Sequence, residues 1–102
     1  MSTFIYLLKL VPRLQHAANW QPEDDQAVDL HFAYLQQLLK DGNLVLAGRT
    51  QEMNENTFGI VIFECECEED AQKIMNSDPA VQKGIMVASI YPYRIALSRL
   101  AV

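Results

Sequence analysis

The sequence predicts an α+β fold, a four-stranded antiparallel sheet with two helices on one face. Three observations carry this. Four short apolar stretches have the length and the branched or aromatic content of strands. Two other segments begin with acidic residues and repeat apolar positions at helical spacing. Their order is β-α-β-β-α-β, the split arrangement of a ferredoxin-like sandwich. At 102 residues the chain has the size of one core, so residues 1–102 are expected to form a single domain.

The first strand is expected over Phe4–Val11, bounded by Pro12. Arg13 to Gln21 is polar, reads as a loop, and holds the only tryptophan, Trp20. Pro22 suits a first helical position, and Glu23, Asp24 and Asp25 suit the positive end of a helix dipole. Val28, Phe32, Leu35, Leu38 and Leu39 then form an apolar stripe. Gly42 is a terminator, because glycine accepts the left-handed conformation past a helix end. The first helix thus spans Pro22 to Asp41.

Leu44–Ala47 and Phe58–Cys65 read as strands two and three, joined through polar Arg49–Asn56 as a hairpin. Glu68, Glu69 and Asp70 open a second helix that ends near Asn76, with Ala71, Ile74 and Met75 facing inward. Asp78 precedes Pro79, which pushes it out of helical conformation and makes it a natural N-cap for a turn through Ala80 and Val81. Gly84 marks a turn and Ile85–Tyr91 is strand four. Tyr93–Leu100, past Pro92, reads either as its extension, which is favoured, or as a short terminal helix.

Composition limits the function. Thirteen acidic against eight basic residues leave a net charge of −5. That argues against a nucleic-acid partner, which requires a basic stripe, and against anionic membrane. No apolar run reaches the roughly 18 residues of a membrane span. The start of the chain lacks the basic and small-residue marks of a signal peptide, so a cytoplasmic location is expected. Cys65 and Cys67 have no accompanying Cys or His cluster. They read as two free thiols at a strand end, with no metal expected.

The strands themselves imply a partner. Helices on one side leave the other sheet face to water, and that face should be polar. Here Phe4, Tyr6 and Leu8 oppose Ile5 and Leu7. Phe58, Ile60 and Ile62 oppose Val61 and Phe63. Met86, Ala88 and Ile90 oppose Val87 and Tyr91. Both faces are apolar, more than a soluble monomer usually exposes. A homodimer packed through the sheet face is expected.

Two residues stand out for chemistry. His31 lies beside the apolar stripe of the first helix, about 60° from Val28 at ~100° per residue. It reads either as a partly buried structural histidine or as an acid–base group. Asp78 reads either as the N-cap or as a partner for an imidazole. His16 falls in the polar loop and is expected to be solvated. Arg49, at a strand end, suits a bidentate contact to a small acidic substrate, or else is a solvated loop arginine. Tyr6, Trp20 and Tyr93 are candidate pocket walls or packing residues.

His31, Leu35, Leu39, Gly42, Leu44, Ala47-Gly48, Gly59, Ala71, Asp78-Pro79, Gly84 and Pro92, taken in order and spacing, resemble the YciI-like (YCII-related) pattern. Tyr34 completes its H-x-x-Y-L element. The resemblance runs from about Phe4 to Arg94. It implies a ferredoxin-like fold, dimers of the α+β-barrel type, and a pocket centred on a histidine and an aspartate, here His31 and Asp78. The family is similar in fold to muconolactone isomerases, and some members act as lyases or dehalogenases on chlorinated ring-cleavage products. The Arg13–Gln21 segment with Trp20 is not part of that pattern.

The expected function is proton transfer in isomerisation or elimination on a small organic acid or lactone, with no metal or organic cofactor. His31 would be the acid or base, Asp78 its orienter and Arg49 an anion clamp. The alternative is a non-catalytic dimeric module that binds a small ligand or docks on another protein. A purely structural role would follow if Trp20 filled the pocket.

Overall fold

A computed structural model of the protein describes residues 1–99. Ser2–Leu10 forms β1, in which Phe4, Tyr6, Leu8 and Leu10 are buried and the residues between them are half-buried or exposed. That period of two is the pleat of a strand with one face on the core. β1 pairs antiparallel with β3 (Gly59–Cys65) on one side and with β4 (Met86–Pro92) on the other. β2 (Leu44–Arg49) flanks β3, also antiparallel, and the strand order is β2-β3-β1-β4. This is the ferredoxin-like sheet that the element order predicts.

Among the described residues three α-helices complete the fold. α1 (Pro22–Lys40) starts with Pro22 and the acidic Glu23, Asp24 and Asp25. α2 covers Glu68–Asn76 and α3 the single turn Pro79–Gln82. Leu35 and Leu38 of α1, with Ala71 and Met75 of α2, pack on Phe4, Tyr6, Leu8, Val61 and Phe63. A second cluster of Leu10, Leu14, Ala27, Ala80 and Ile85, with Trp20 against it, joins the segment after β1 to α1 and α3.

Several boundaries and faces differ from expectation. The polar Arg13–Gln21 segment contains two 3-10 turns, Pro12–Gln15 and Ala17–Asn19, anchored by fully buried Leu14. The inner stripe of α1 is Ala27, His31, Leu35 and Leu38, while Phe32 and Leu39 are 62% and 59% exposed. The stripe is thus rotated by about one position from the expected one, and His31 sits within it rather than on its flank. β2 continues two residues further, to Arg49. β4 ends at Pro92, which offers no N–H to the ladder. One further bond forms, from Tyr93 N–H to the Thr3 carbonyl at 2.9 Å, but residues 93–99 make no strand. Leu100, the end of the expected extension, lies outside the described residues.

The sheet face away from the helices carries the apolar residues that the strand patterns predict, with polar Thr3, Glu64, Lys9 and Ser89 among them. Ile5 stands opposite Ile62 and Tyr91, Leu7 opposite Ile60, and Leu46 opposite Ile62. Among the described residues no helix is long and apolar enough to cross a membrane.

Candidate functional site

The α1 stripe carries His31 into the interior, between Ala27 and Leu35. α1 packs against α3, and the chain reversal before α3 holds Asp78 at its N-cap. The two side chains meet across 47 residues of sequence. His31 Nδ1 lies 2.7 Å from Asp78 Oδ1 and 2.9 Å from Oδ2. The imidazole is 13% exposed and the carboxyl is completely buried.

A buried carboxyl is tolerated only where hydrogen bonds replace its water. Asp78 has them. Tyr6 Oη donates to Oδ2 at 2.7 Å, the Ala80 backbone N–H donates to Oδ1 at 2.9 Å, and His31 supplies the third donor. Burial, reinforced by Asp78, pushes the Tyr6 phenol far above its ordinary pKa, so it remains a donor. Tyr34 Oη donates to the Ile74 carbonyl at 2.7 Å and ties α1 to α2. Burial and then the Asp78 charge raise its pKa as well.

This network selects a tautomer for the neutral imidazole. Both Asp78 oxygens accept, so Nδ1 carries the hydrogen and the neutral ring presents a lone pair at Nε2. Among the described residues Nε2 has no hydrogen-bond partner, and no buried side-chain nitrogen or oxygen lacks one. Nε2 is therefore open to the space beside it.

That space is a cavity of about 430 Å³ with His31 on its wall. Its other walls include Trp20, Phe32, Met53, Phe58 and Arg49, with Asp25 and Asp29 of α1 among its few charged groups. The volume is in the range of small-molecule sites. His31, Trp20 and Arg49 thus share one cavity, and Asp78 stands behind His31. Arg49 is exposed, and its Nη1 donates to the Thr50 carbonyl at 3.0 Å. The expectation that Tyr6 walls the pocket is corrected: Tyr6 is fully buried on the core face of β1, with its hydroxyl on Asp78. Tyr93 lies elsewhere, in a shallow depression with Thr3 and Arg94.

Sequence reasoning missed Phe32, Met53 and Phe58. Phe32 was assigned to the core, and Met53 sits in a connection whose path no periodicity reveals. Tyr6 carried a signal: a tyrosine on the core face of a strand needs a partner for its hydroxyl.

Cys65 is buried and Cys67 exposed, and both are free. The Cys65 thiol reaches the Cys67 carbonyl at 3.3 Å, and burial raises its pKa. Among the described residues no group of three or more His, Cys, Asp or Glu is arranged to hold a metal ion.

The sequence profile of the YCII-related domain matches residues 6–94. The chain belongs to the YCII-related family. No curated protein matches it significantly. Among solved structures, it resembles the 5-chloro-2-hydroxyhydroquinone dehydrochlorinase of Burkholderia phenoliruptrix AC1100, determined in complex with 2,5-dihydroxybenzoquinone. The TM-score is 0.68 at 17% identity, covering 90% of this chain and 93% of that one. At that identity the likeness establishes the fold, which this YCII-related chain shares along nearly its whole length.

Proposed function

We propose that this protein is a cofactor-independent enzyme that moves a proton on a small organic acid or lactone, in an isomerisation or an elimination. One observation carries the reading. A histidine whose Nδ1 is held by a buried carboxyl lines a cavity of about 430 Å³, and its Nε2 has no hydrogen-bond partner among the described residues. His31 Nε2 takes a proton from a carbon beside a carbonyl, and Asp78 stabilises the imidazolium that results. In an elimination the released electron pair forms a carbon–carbon double bond as the leaving group departs. In an isomerisation His31 returns the proton at another carbon. In this reading Arg49, on the wall of the same cavity, holds a carboxylate or enolate oxygen. The protein whose fold this chain shares is named a dehydrochlorinase, and loss of hydrogen chloride is an elimination.

The working unit in this reading is a homodimer joined through the open sheet face. A screen of lactones and halogenated acids tests the reading, followed by His31→Ala. Loss of about 10²–10⁴-fold in turnover is expected for removal of a general acid–base group. Full turnover in His31→Ala would refute the role. Saturable binding without turnover across the screen would favour the ligand-binding module instead.

A further inference from the structure

The segment between β1 and α1 is knitted far more tightly than a polar loop requires. Arg13 grips Asp24 through two parallel bonds, Nη1–Oδ2 and Nη2–Oδ1, each 2.9 Å. Asp24 Oδ2 also accepts the Gln21 backbone N–H at 2.9 Å, and the Asn19 side chain donates to the Arg13 carbonyl at 2.8 Å. Fully buried Leu14 pins the first turn, and its carbonyl accepts the Trp20 indole N–H at 2.9 Å. These contacts converge on one outcome. They fix Trp20 against the cavity, and they commit the only polar atom of the indole to the segment itself. What Trp20 offers the cavity is aromatic carbon.

Two more rings face the same space, Phe32 from α1 and Phe58 from the end of the hairpin connection, 62% and 42% exposed. Ring-to-ring pairs gain stabilisation beyond the apolar area they cover, and a saturated ring does not share that gain. The charged groups at this cavity are divided. Asp25 and Asp29 belong to α1, whereas the cation Arg49 belongs to β2. A carboxylate is favoured at the β2 side, which leaves the body of the ligand among the rings.

We propose that Trp20, held by the Arg13–Asp24 clasp, is the specificity-determining wall of the cavity and selects acids built on a flat, unsaturated ring. This rests on the cavity being the ligand site, and it does not depend on turnover. A rigid wall also lowers the ordering cost of binding, because little side-chain freedom remains to be lost.

Calorimetric titration with benzoate and with cyclohexanecarboxylate, acids of similar size that differ in flatness, tests the proposal. The wild-type protein is expected to bind benzoate about tenfold more tightly, with quenching of Trp20 fluorescence. Trp20→Leu should remove the preference and Trp20→Phe should retain most of it. Arg13→Met should shift Trp20 emission to the red and weaken benzoate more than cyclohexanecarboxylate, which keeps the proposal testable if Trp20→Leu does not fold. Binding of both acids with equal affinity, or an unchanged preference in Trp20→Leu, overturns the proposal and leaves the proposed reaction standing. Binding of neither acid to the wild-type protein overturns both this proposal and the assignment of a small acid to the cavity.

Discussion

Tyr6 Oη lies 2.7 Å from Asp78 Oδ2, and both side chains are completely buried. The phenol approaches from the central strand and the His31 imidazole from α1, so one carboxyl joins the sheet to the helix layer. Tyr6→Phe keeps the ring and deletes this bond to a buried acceptor. The expected loss is about 1.5–3 kcal/mol, which lowers Tm by on the order of 10 °C in a domain of this size. Thermal unfolding measures it. An unchanged Tm would show that the bond contributes nothing net.

Asp78→Asn tests the charge of the carboxylate. The amide retains an acceptor for Ala80 N–H but brings a donor to the side shared by Tyr6 and His31. The amide oxygen at the Oδ1 position stays within reach of His31 Nδ1, 2.7 Å in the native pair, so the ring hydrogen can remain there, and what the substitution removes is the negative charge that stabilises the imidazolium. Turnover on an identified substrate should fall by about 10³–10⁴-fold, the scale seen when a triad aspartate is replaced by asparagine, while the protein remains folded. Nitrogen NMR of the imidazole reports the tautomer independently. Unchanged turnover in Asp78→Asn would contradict the role given to the carboxylate.

The sequence shows the scaffold more fully than the site, for a physical reason. Alternation in β1 and the acidic start of α1 are local patterns, and local patterns survive folding. Asp78 was legible as an N-cap because Asp-Pro is a local signal, and it does accept the Ala80 N–H. Its pairing with His31 bridges 47 residues, which no periodicity encodes. Only the resemblance to the YCII-related pattern brought the two together. The rotation of the α1 stripe was hidden because Phe32 and Leu39 are as apolar as core residues. The order within Pro12–Asn19 was hidden because polar side chains, not a repeat, create it.

Alkaline stability follows from Tyr6. Its folded pKa lies far above the ordinary 10.0, chiefly through burial. A raised folded pKa gives a stabilisation that is fully present below the unfolded value and is lost as pH rises beyond it. Stability should therefore decline above about pH 10. The Tyr6 share of the tyrosinate absorbance should appear only as the protein unfolds, and Tyr6→Phe should flatten the decline. Tyr6 ionising in the native protein would contradict this.

Acid stability follows from Asp24. The Arg13 guanidinium, then the Gln21 N–H, hold its carboxyl down from 3.8 to about 2. A depressed folded pKa gives a stabilisation present above the unfolded value and lost as pH falls through the folded one. The window is therefore between 3.8 and about 2. Arg13→Met should narrow the stability difference between the two ends of that window, measured by thermal unfolding, and leave the alkaline limb unchanged. An identical acid profile in Arg13→Met would show that the clasp does not couple to folding.

The open sheet face yields the last prediction. Ile5, Ile62 and Tyr91 form a continuous apolar row across β3, β1 and β4, and Leu46 extends it to β2. Val87 is 61% and Tyr91 49% exposed. Soluble monomers rarely expose a contiguous apolar patch above a few hundred Å², and a stable interface buries about 800 Å² on each partner. A sheet face meets its own copy through a two-fold axis, which repeats every contact, residue i on j and j on i, and doubles the effect of one substitution. Ile5→Lys sets an ammonium on β1, in the middle of the sheet, on both copies at once. It must be buried uncompensated or the interface must part. Sedimentation at micromolar concentration should show a dimer for the wild-type protein and a monomer for Ile5→Lys, with the His31–Asp78 pair on the opposite face intact. A wild-type monomer at that concentration would remove the second copy from the proposed working unit.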